Sequence, residues 1–139
     1  MIEYRARRLI KSEDLNARGT LFGGRLLEWC DEEASIFCFC QLGTRNIATV
    51  HMSEINFRYP ARLGDVVEFG TDIVKFGTTS ITLKMEVRNK RTKKILLSVD
   101  KIIFVSLDEF DEPRPHGITR FSGKGRWKKL EGEIKESDG

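Results

Sequence analysis

The chain has 139 residues, of which 40% are hydrophobic and 32% charged, with a formal net charge of +3; this is the composition of one globular domain with a short extension, too small for two full-sized catalytic domains. No apolar run approaches the roughly 18 residues of a membrane span, and Met1-Ile2-Glu3-Tyr4-Arg5 lacks the apolar core of a signal peptide, so membrane insertion and secretion are not expected. Three cysteines, Cys30, Cys38 and Cys40, are an odd number crowded into one apolar stretch, which suits buried free thiols in the cytoplasm better than a disulfide framework.

In chain order, residues 4 to 10 alternate loosely and predict a short strand, followed by the polar loop Ser12-Glu13-Asp14-Leu15-Asn16-Ala17-Arg18-Gly19. From Gly23-Gly24 to Leu42 there is no proline, helix formers are frequent, and Gly43 stands where a helix should stop; the spacing predicts one long helix. At about 100° per residue, Leu26, Leu27, Cys30, Ala34, Phe37, Cys38 and Gln41 share one broad apolar face, while Trp29, Ile36 and Phe39 fall elsewhere on the wheel. A helix apolar on more than one side should be largely covered.

Four strand patterns follow. Residues 46 to 59 end at Pro60, and residues 66 to 76 end at Gly77; Gly64-Asp65 connects the two. Residues 81 to 88 alternate apolar and polar without a fault, Asn89 to Lys94 is a charged hairpin turn, and residues 95 to 107 are rich in Ile, Leu and Val. One helix followed by turn-linked strands implies an α+β fold, an antiparallel sheet of about five strands wrapped around a central helix. The domain is expected to occupy residues 1–112; residues 113–139, with Pro115, several glycines and dense charge, read as a charged and mobile tail.

Chemistry concentrates at the helix. Residues 16 to 24 lead from a polar loop to a helix start, where backbone N–H groups are unsatisfied and favour negative charge. Gly23-Gly24 lets a substrate approach that backbone and could form an oxyanion hole, although a tight turn under a packed sheet asks for the same pair. Among the helix acids Glu28, Asp31, Glu32 and Glu33, the wheel sets Asp31 about 20° from Cys38 and about 40° from Leu27, and Glu33 at the opposite border beside Leu26. Partial desolvation raises a carboxylate's basicity, which suits a general base or a nucleophile, and periodicity leaves both acids as candidates. His51 and His116 are too few, without a paired Cys-x-x-Cys, to suggest a metal, and no metal site is expected. The basic runs at residues 90–94 and 124–129 match no nucleic-acid-binding motif, and no nucleic-acid partner is expected.

The string Asn16-Ala17-Arg18-Gly19-Thr20-Leu21-Phe22-Gly23-Gly24, with Leu26-Leu27 and Trp29-Cys30-Asp31-Glu32-Glu33-Ala34, resembles the signature of hotdog-fold thioesterases of the acyl-CoA hydrolase family. The likeness continues through Glu54-Ile55-Asn56-Phe57, Pro60, Gly64-Asp65-Val66-Val67 and Gly77-Thr78-Thr79-Ser80, and covers roughly residues 5 to 108. The resemblance implies hydrolysis of an acyl-CoA thioester without a separate cofactor. It implies that Asp31, rather than Glu33, is the catalytic acid, as base or nucleophile; that Asn16 orients substrate or water; and that a backbone N–H near Gly24 polarises the carbonyl. It further implies a homo-oligomer, a dimer or a multiple of dimers, in which two protomers build each site, with Gly23 and the loop Gly77-Thr78-Thr79-Ser80 near coenzyme A. Arg58 and Arg88 are phosphate candidates by charge. Where relatives often carry a basic or bulkier residue in that loop, this chain has Thr78. The rival reading is a non-enzymatic acyl-CoA-binding or sensor domain, which would lack the acid; a hotdog dehydratase would pair its Asp with a His a few residues on, and none stands near Asp31.

Overall fold

The computed structural model describes residues 2–126. Among these, five strands and one long helix succeed one another as β1 (Glu3–Leu9), α1 (Gly23–Leu42), β2 (Ile47–Phe57), β3 (Val66–Phe76), β4 (Ser80–Asn89) and β5 (Ile95–Ser106), with a 3-10 turn at Ser12–Asp14. The expected α+β hotdog architecture is present, with element ends that agree to within a residue or two. The helix stops where a left-handed residue is needed: Gly43 has φ 69°, and its N–H donates to Phe39 O at 2.8 Å.

The sheet is antiparallel with strand order β1-β3-β4-β5-β2. Chain order alone would not seat β2 against β5, but the helix explains it. A 20-residue helix is about 30 Å long, whereas four strand spacings amount to about 19 Å. The helix can therefore carry the chain from the β1 edge to the opposite edge, where β2 is laid down.

On the inner face of the sheet, Cys30, Ala34 and Cys38 are all fully buried and form one cluster with Phe69, Leu83, Met85, Val87 and Ile102. Trp29 meets Phe69 edge-on with centroids 6.3 Å apart. Cover is incomplete within one chain: Ile36 on the helix, and Val50 and Phe57 on β2, remain exposed. No helix among the described residues is long and apolar enough to cross a membrane.

The outer face carries a polar network. Glu68 is only 2% exposed and accepts hydrogen bonds from Arg88 Nε at 2.8 Å and Arg7 Nε at 3.2 Å, with Lys93 Nζ 4.0 Å away. Burial by itself would raise its pKa, but the Arg88 hydrogen bond and the charges of Lys93 and Arg88 outweigh it and hold the carboxyl below its ordinary 4.5. Arg88 also lies 3.7 Å from the centroid of the Tyr4 ring. Burial and a 2.9 Å hydrogen bond to Glu86 push the Tyr4 hydroxyl up to about 12.

Of the expected tail, residues 113–126 are described, and they are tied to the domain; the rest of it lies outside the described residues. Arg114 N–H donates to Ser106 O, and Gln41 exchanges two hydrogen bonds with the Ser122 backbone at 2.8 and 2.9 Å. Phe121 stacks on Phe37, and Arg126 donates to Gln41 O at the helix C-terminus, where a cation is favoured.

Because the folded-state pKa of Glu68 lies below its unfolded value, its contribution is complete above the unfolded value and is lost as pH falls through the folded one. Glu68→Gln should lower Tm at pH 7, and the gap to the parent protein should close as pH drops below 4.5. A gap of constant size across thermal melts from pH 7 to 3 would contradict this account.

Candidate functional site

Asp31 lies in the third turn of α1, on the helix border that faces β2. Its Oδ1 accepts the Thr49 hydroxyl at 2.8 Å. Thr49 borders a bulge in β2, where the register with β5 shifts between Thr49 and His51; bulges re-aim strand side chains. No salt bridge among the described residues involves Asp31, so its second oxygen is left for another donor. Glu33 stands otherwise. Arg8 donates to it at 3.0 Å and to Glu32 at 2.7 Å, and the Arg8 guanidinium also lies 5.3 Å from the centroid of the Trp29 ring. Glu33 is thus neutralised across the helix from Asp31, and the geometry separates two acids that periodicity left equivalent.

The thiols offer no nucleophile nearby. Burial, with the charges of Asp31 and Glu33 adding to it, pushes the Cys30 thiol up to about 12, and burial does the same to Cys38. His51 is exposed on β2. Among the described residues no group of three His, Cys, Asp or Glu side chains could hold a metal ion.

At the start of α1, Phe22 is the N-cap residue; no side chain caps the helix and no acid stands in its first turn. The first-turn N–H groups therefore lack both intrahelical and side-chain acceptors. Both glycines also pack against phenylalanine rings. A Cβ on Gly24 would fall 2.6 Å from the Phe22 ring, and one on Gly23 would fall 3.3 Å from the Phe57 ring. Among the described residues the first-turn amide hydrogens have no acceptor.

Asn16 organises the loop that delivers the helix. Its Oδ1 accepts from Arg18 N at 2.9 Å, Thr20 N at 3.1 Å and Thr20 Oγ1 at 3.2 Å, while its own N–H donates to Thr20 O at 2.8 Å. Its amide oxygen is committed; its Nδ2 hydrogens remain as donors among the described residues.

The loop of residues 77–80 joins β3 to β4, at the same end of the sheet as Asp31: Thr49 pairs with Phe104, and Phe104 pairs with Ile81. The two expected phosphate partners are not brought there. Arg88 lies eight residues along β4 from Ser80, about 26 Å away in an extended strand, and is committed to Glu68 and Tyr4. Arg58 donates to Ser98 Oγ at 3.3 Å, and Ser98 lies seven residues along β5 from Val105, the partner of Ser80. Arg58 instead shares a 270 Å³ cleft with Arg18, Leu21 and Gly23 at the helix start. The cation beside the loop is Lys75, which lines an open cleft with Thr78 and His116. Sequence reasoning passed over Lys75 and Thr49. Proximity in the chain to Gly77 could have suggested Lys75; nothing in the sequence says which strand lies beside Asp31.

Two halves of a site emerge, and they are far apart. Gly24 and Asp31 differ by seven residues, so they lie within about 20° on the helix and about 10 Å apart along its axis. A donor to a carbonyl oxygen and a group acting at the adjacent carbon must each lie about 3 Å from bonded atoms. One copy of the helix cannot place both in direct contact with one carbonyl.

Residues 18–96 match a family model described as the thioesterase superfamily. The chain is 31% identical over 115 residues to acyl-CoA thioester hydrolase YciA of Salmonella typhimurium, covering 78% of this chain and 86% of that protein. Among solved structures it is similar to the hexameric thioesterase y2039 from Yersinia pestis, with TM-score 0.77 and 28% identity over 86% of this chain and 97% of the other. It is also similar to HI0827, a hexameric broad-specificity acyl-coenzyme A thioesterase solved with one aspartate replaced by alanine, with TM-score 0.73, 25% identity and coverage of 94% and 96%.

The different surroundings of the two acids can be checked by stability alone. Glu33→Gln should lower Tm by removing the Arg8 pair, a loss on the order of 1 kcal/mol, whereas Asp31→Asn keeps an acceptor for Thr49 and should melt like the parent. Equal losses in the two variants would show that Asp31 is also a structural acid.

Proposed function

The chain belongs to the thioesterase superfamily, and we propose that it hydrolyses acyl-CoA thioesters to a free carboxylic acid and coenzyme A. The observation that carries this reading is Asp31, a half-buried carboxylate pinned through one oxygen by Thr49 and free of any cation among the described residues. An acyl-CoA-binding domain without catalysis has no use for such a group.

In the proposed reaction the free oxygen of Asp31 takes a proton from water as the water oxygen bonds to the thioester carbon. The carbonyl electrons move onto oxygen, where the bare N–H of Gly24 stabilises the charge. Collapse breaks the carbon–sulfur bond, and the departing thiolate receives the proton held by Asp31. Asn16 Nδ2 is a donor suited to orienting the water or the carbonyl. No step calls for a metal or a redox cofactor.

The 10 Å gap between Gly24 and Asp31 supports a site shared by two copies. The surface for pairing is β2, an edge strand of 11 residues, mostly exposed, with Val50 and Phe57 uncovered. A long uncovered edge strand is a template for pairing with another chain, and an isologous dimer through it would bring Asp31 of one copy toward the helix start of the other. The hexameric structures to which the chain is similar support a homo-oligomer. The three free thiols support a cytoplasmic setting.

With a thiol reagent and acyl-CoAs of several chain lengths, Asp31→Asn should reduce kcat/KM by about 10²- to 10⁴-fold while the fold is retained; unchanged turnover would remove Asp31 from the mechanism. Sharing of the site has its own test. Asn16→Ala and Asp31→Asn chains, each nearly inactive, should regain about a quarter of the parent activity when co-expressed, because half of randomly formed dimers hold one intact site of two. No recovery from co-purified mixed dimers would mean that both residues serve the same copy's site.

A further inference from the structure

We propose that His116 is a positioning residue for the coenzyme A end of the site: it clamps the loop of residues 77–80 so that the N–H and hydroxyl groups of Thr78 and Thr79, and not the carbonyl oxygens of residues 78–80, face an anionic ligand. The inference rests on the proposed reading of that loop as a coenzyme A contact. The nucleotide end of coenzyme A is phosphate-rich, and a phosphate is attracted by N–H and O–H donors and repelled by carbonyl dipoles.

The clamp begins after β5. The chain reverses through residues 108–112, where Asp108 Oδ1 accepts from Phe110 N and Glu112 N, and Leu107 pairs with Pro113. The returning strap of residues 113–118 runs over the β3–β4 loop. His116 N–H donates to Thr78 O at 3.2 Å. The imidazole Nδ1 accepts the Ile118 N–H at 3.0 Å, so Nδ1 carries no proton and the proton sits on Nε2, which donates to Ser80 O at 2.8 Å. The ring is held edge-on to Phe76, with centroids 6.3 Å apart.

Three successive carbonyls of the loop, those of Thr78, Thr79 and Ser80, are thereby engaged. Thr78 O is taken by the strap, Thr79 O by Ser106 N–H at 2.8 Å, and Ser80 O by both Gly77 N–H and His116. No hydrogen bond among the described residues uses the N–H or the hydroxyl of Thr78 or Thr79, and no buried polar side-chain atom lacks a partner, so both hydroxyls are open to solvent and both N–H groups are uncommitted. Lys75 lines the same cleft and supplies the positive charge. Without His116, the peptide planes next to Ser80 lose one of their two restraints and can turn an oxygen toward the ligand. A threonine loop with no basic residue of its own thus depends on its donors being held in one orientation.

The test compares His116→Ala, His116→Asn and His116→Gln in the full chain. A glutamine amide reaches the place of Nε2 and can still donate to Ser80 O; an asparagine reaches only the place of Nδ1. With an acyl-CoA, His116→Ala and His116→Asn should raise KM about three- to tenfold, the value of one lost hydrogen bond, with kcat little changed, and His116→Gln should stay near the parent. With the matching acyl-pantetheine, which has the thioester but no nucleotide phosphates, all four proteins should have equal kcat/KM. Equal losses on both substrates, or a glutamine variant as impaired as alanine, would overturn the positioning role. Calorimetric binding of coenzyme A itself needs no turnover and separates this inference from the proposed activity. A parent protein that hydrolyses no thioester but binds coenzyme A with the same ranking of variants would end the enzymatic reading alone, and one that binds no coenzyme A would end both.

Discussion

Everything in this molecule follows from how closely α1 lies against the sheet. Its contact stripe is Cys30, Ala34 and Cys38, three small residues at intervals of four, each fully buried. Side chains four apart stack on one helix face, and these three are buried in one cluster with Phe69, Leu83 and Met85 of the sheet. Once that stripe is seated, the helix has no rotational freedom. Asp31 must then fall on the β2 border, where Thr49 meets it, and Glu33 on the β1 border, where Arg8 meets it.

The same constraint explains how much of the site was legible beforehand. The helix, its glycine stop and the apolar face follow from local spacing, and local spacing is what a sequence displays. So does the border position of both acids. What separates them is Arg8, which lies 25 residues from Glu33 and is brought to it only by the pairing of β1 with β3. Charge alone nominated Arg58 and Arg88, yet charge says nothing of place. Arg88 faces the outer side of the sheet, where the buried carboxylate of Glu68 requires cations around it and leaves that guanidinium committed. The resemblance to a known family favours Asp31 over Glu33, and the structure leaves Asp31 without the cation that Glu33 has; the resemblance carried no information about the strap, whose glycines, prolines and charges read as a tail.

Residues 113–126 illustrate a limit of composition as a guide to order. Such segments lack the apolar content to form a core of their own. They need not do so when an existing surface offers complementary groups. The C-terminal end of α1 presents carbonyls that take Arg126, Gln41 presents an amide that pairs with the Ser122 backbone, and Phe37 presents a ring face to Phe121. Order here comes from the helix end, and the helix end is where it is because of the stripe.

The uncapped amides and the Asp31 carboxylate lie on one helix face, two turns apart, and that separation is fixed while the stripe remains seated. A single chain therefore holds the two groups of candidate site residues apart: uncapped amides and Asn16 at the helix start, and the carboxylate with the loop of residues 77–80 toward the opposite end of the sheet. The proposed isologous pairing through β2 would convert this separation into an advantage. One two-fold operation would supply each carboxylate with a helix start, cover the exposed Val50 and Phe57, and close the open sheet edge. Burial that stabilises the dimer would then also exclude water from the space between the halves, which strengthens the amide dipoles acting there. In such an arrangement folding, assembly and catalysis are one requirement, because the surface left uncovered by the sheet is the surface at which the site is completed.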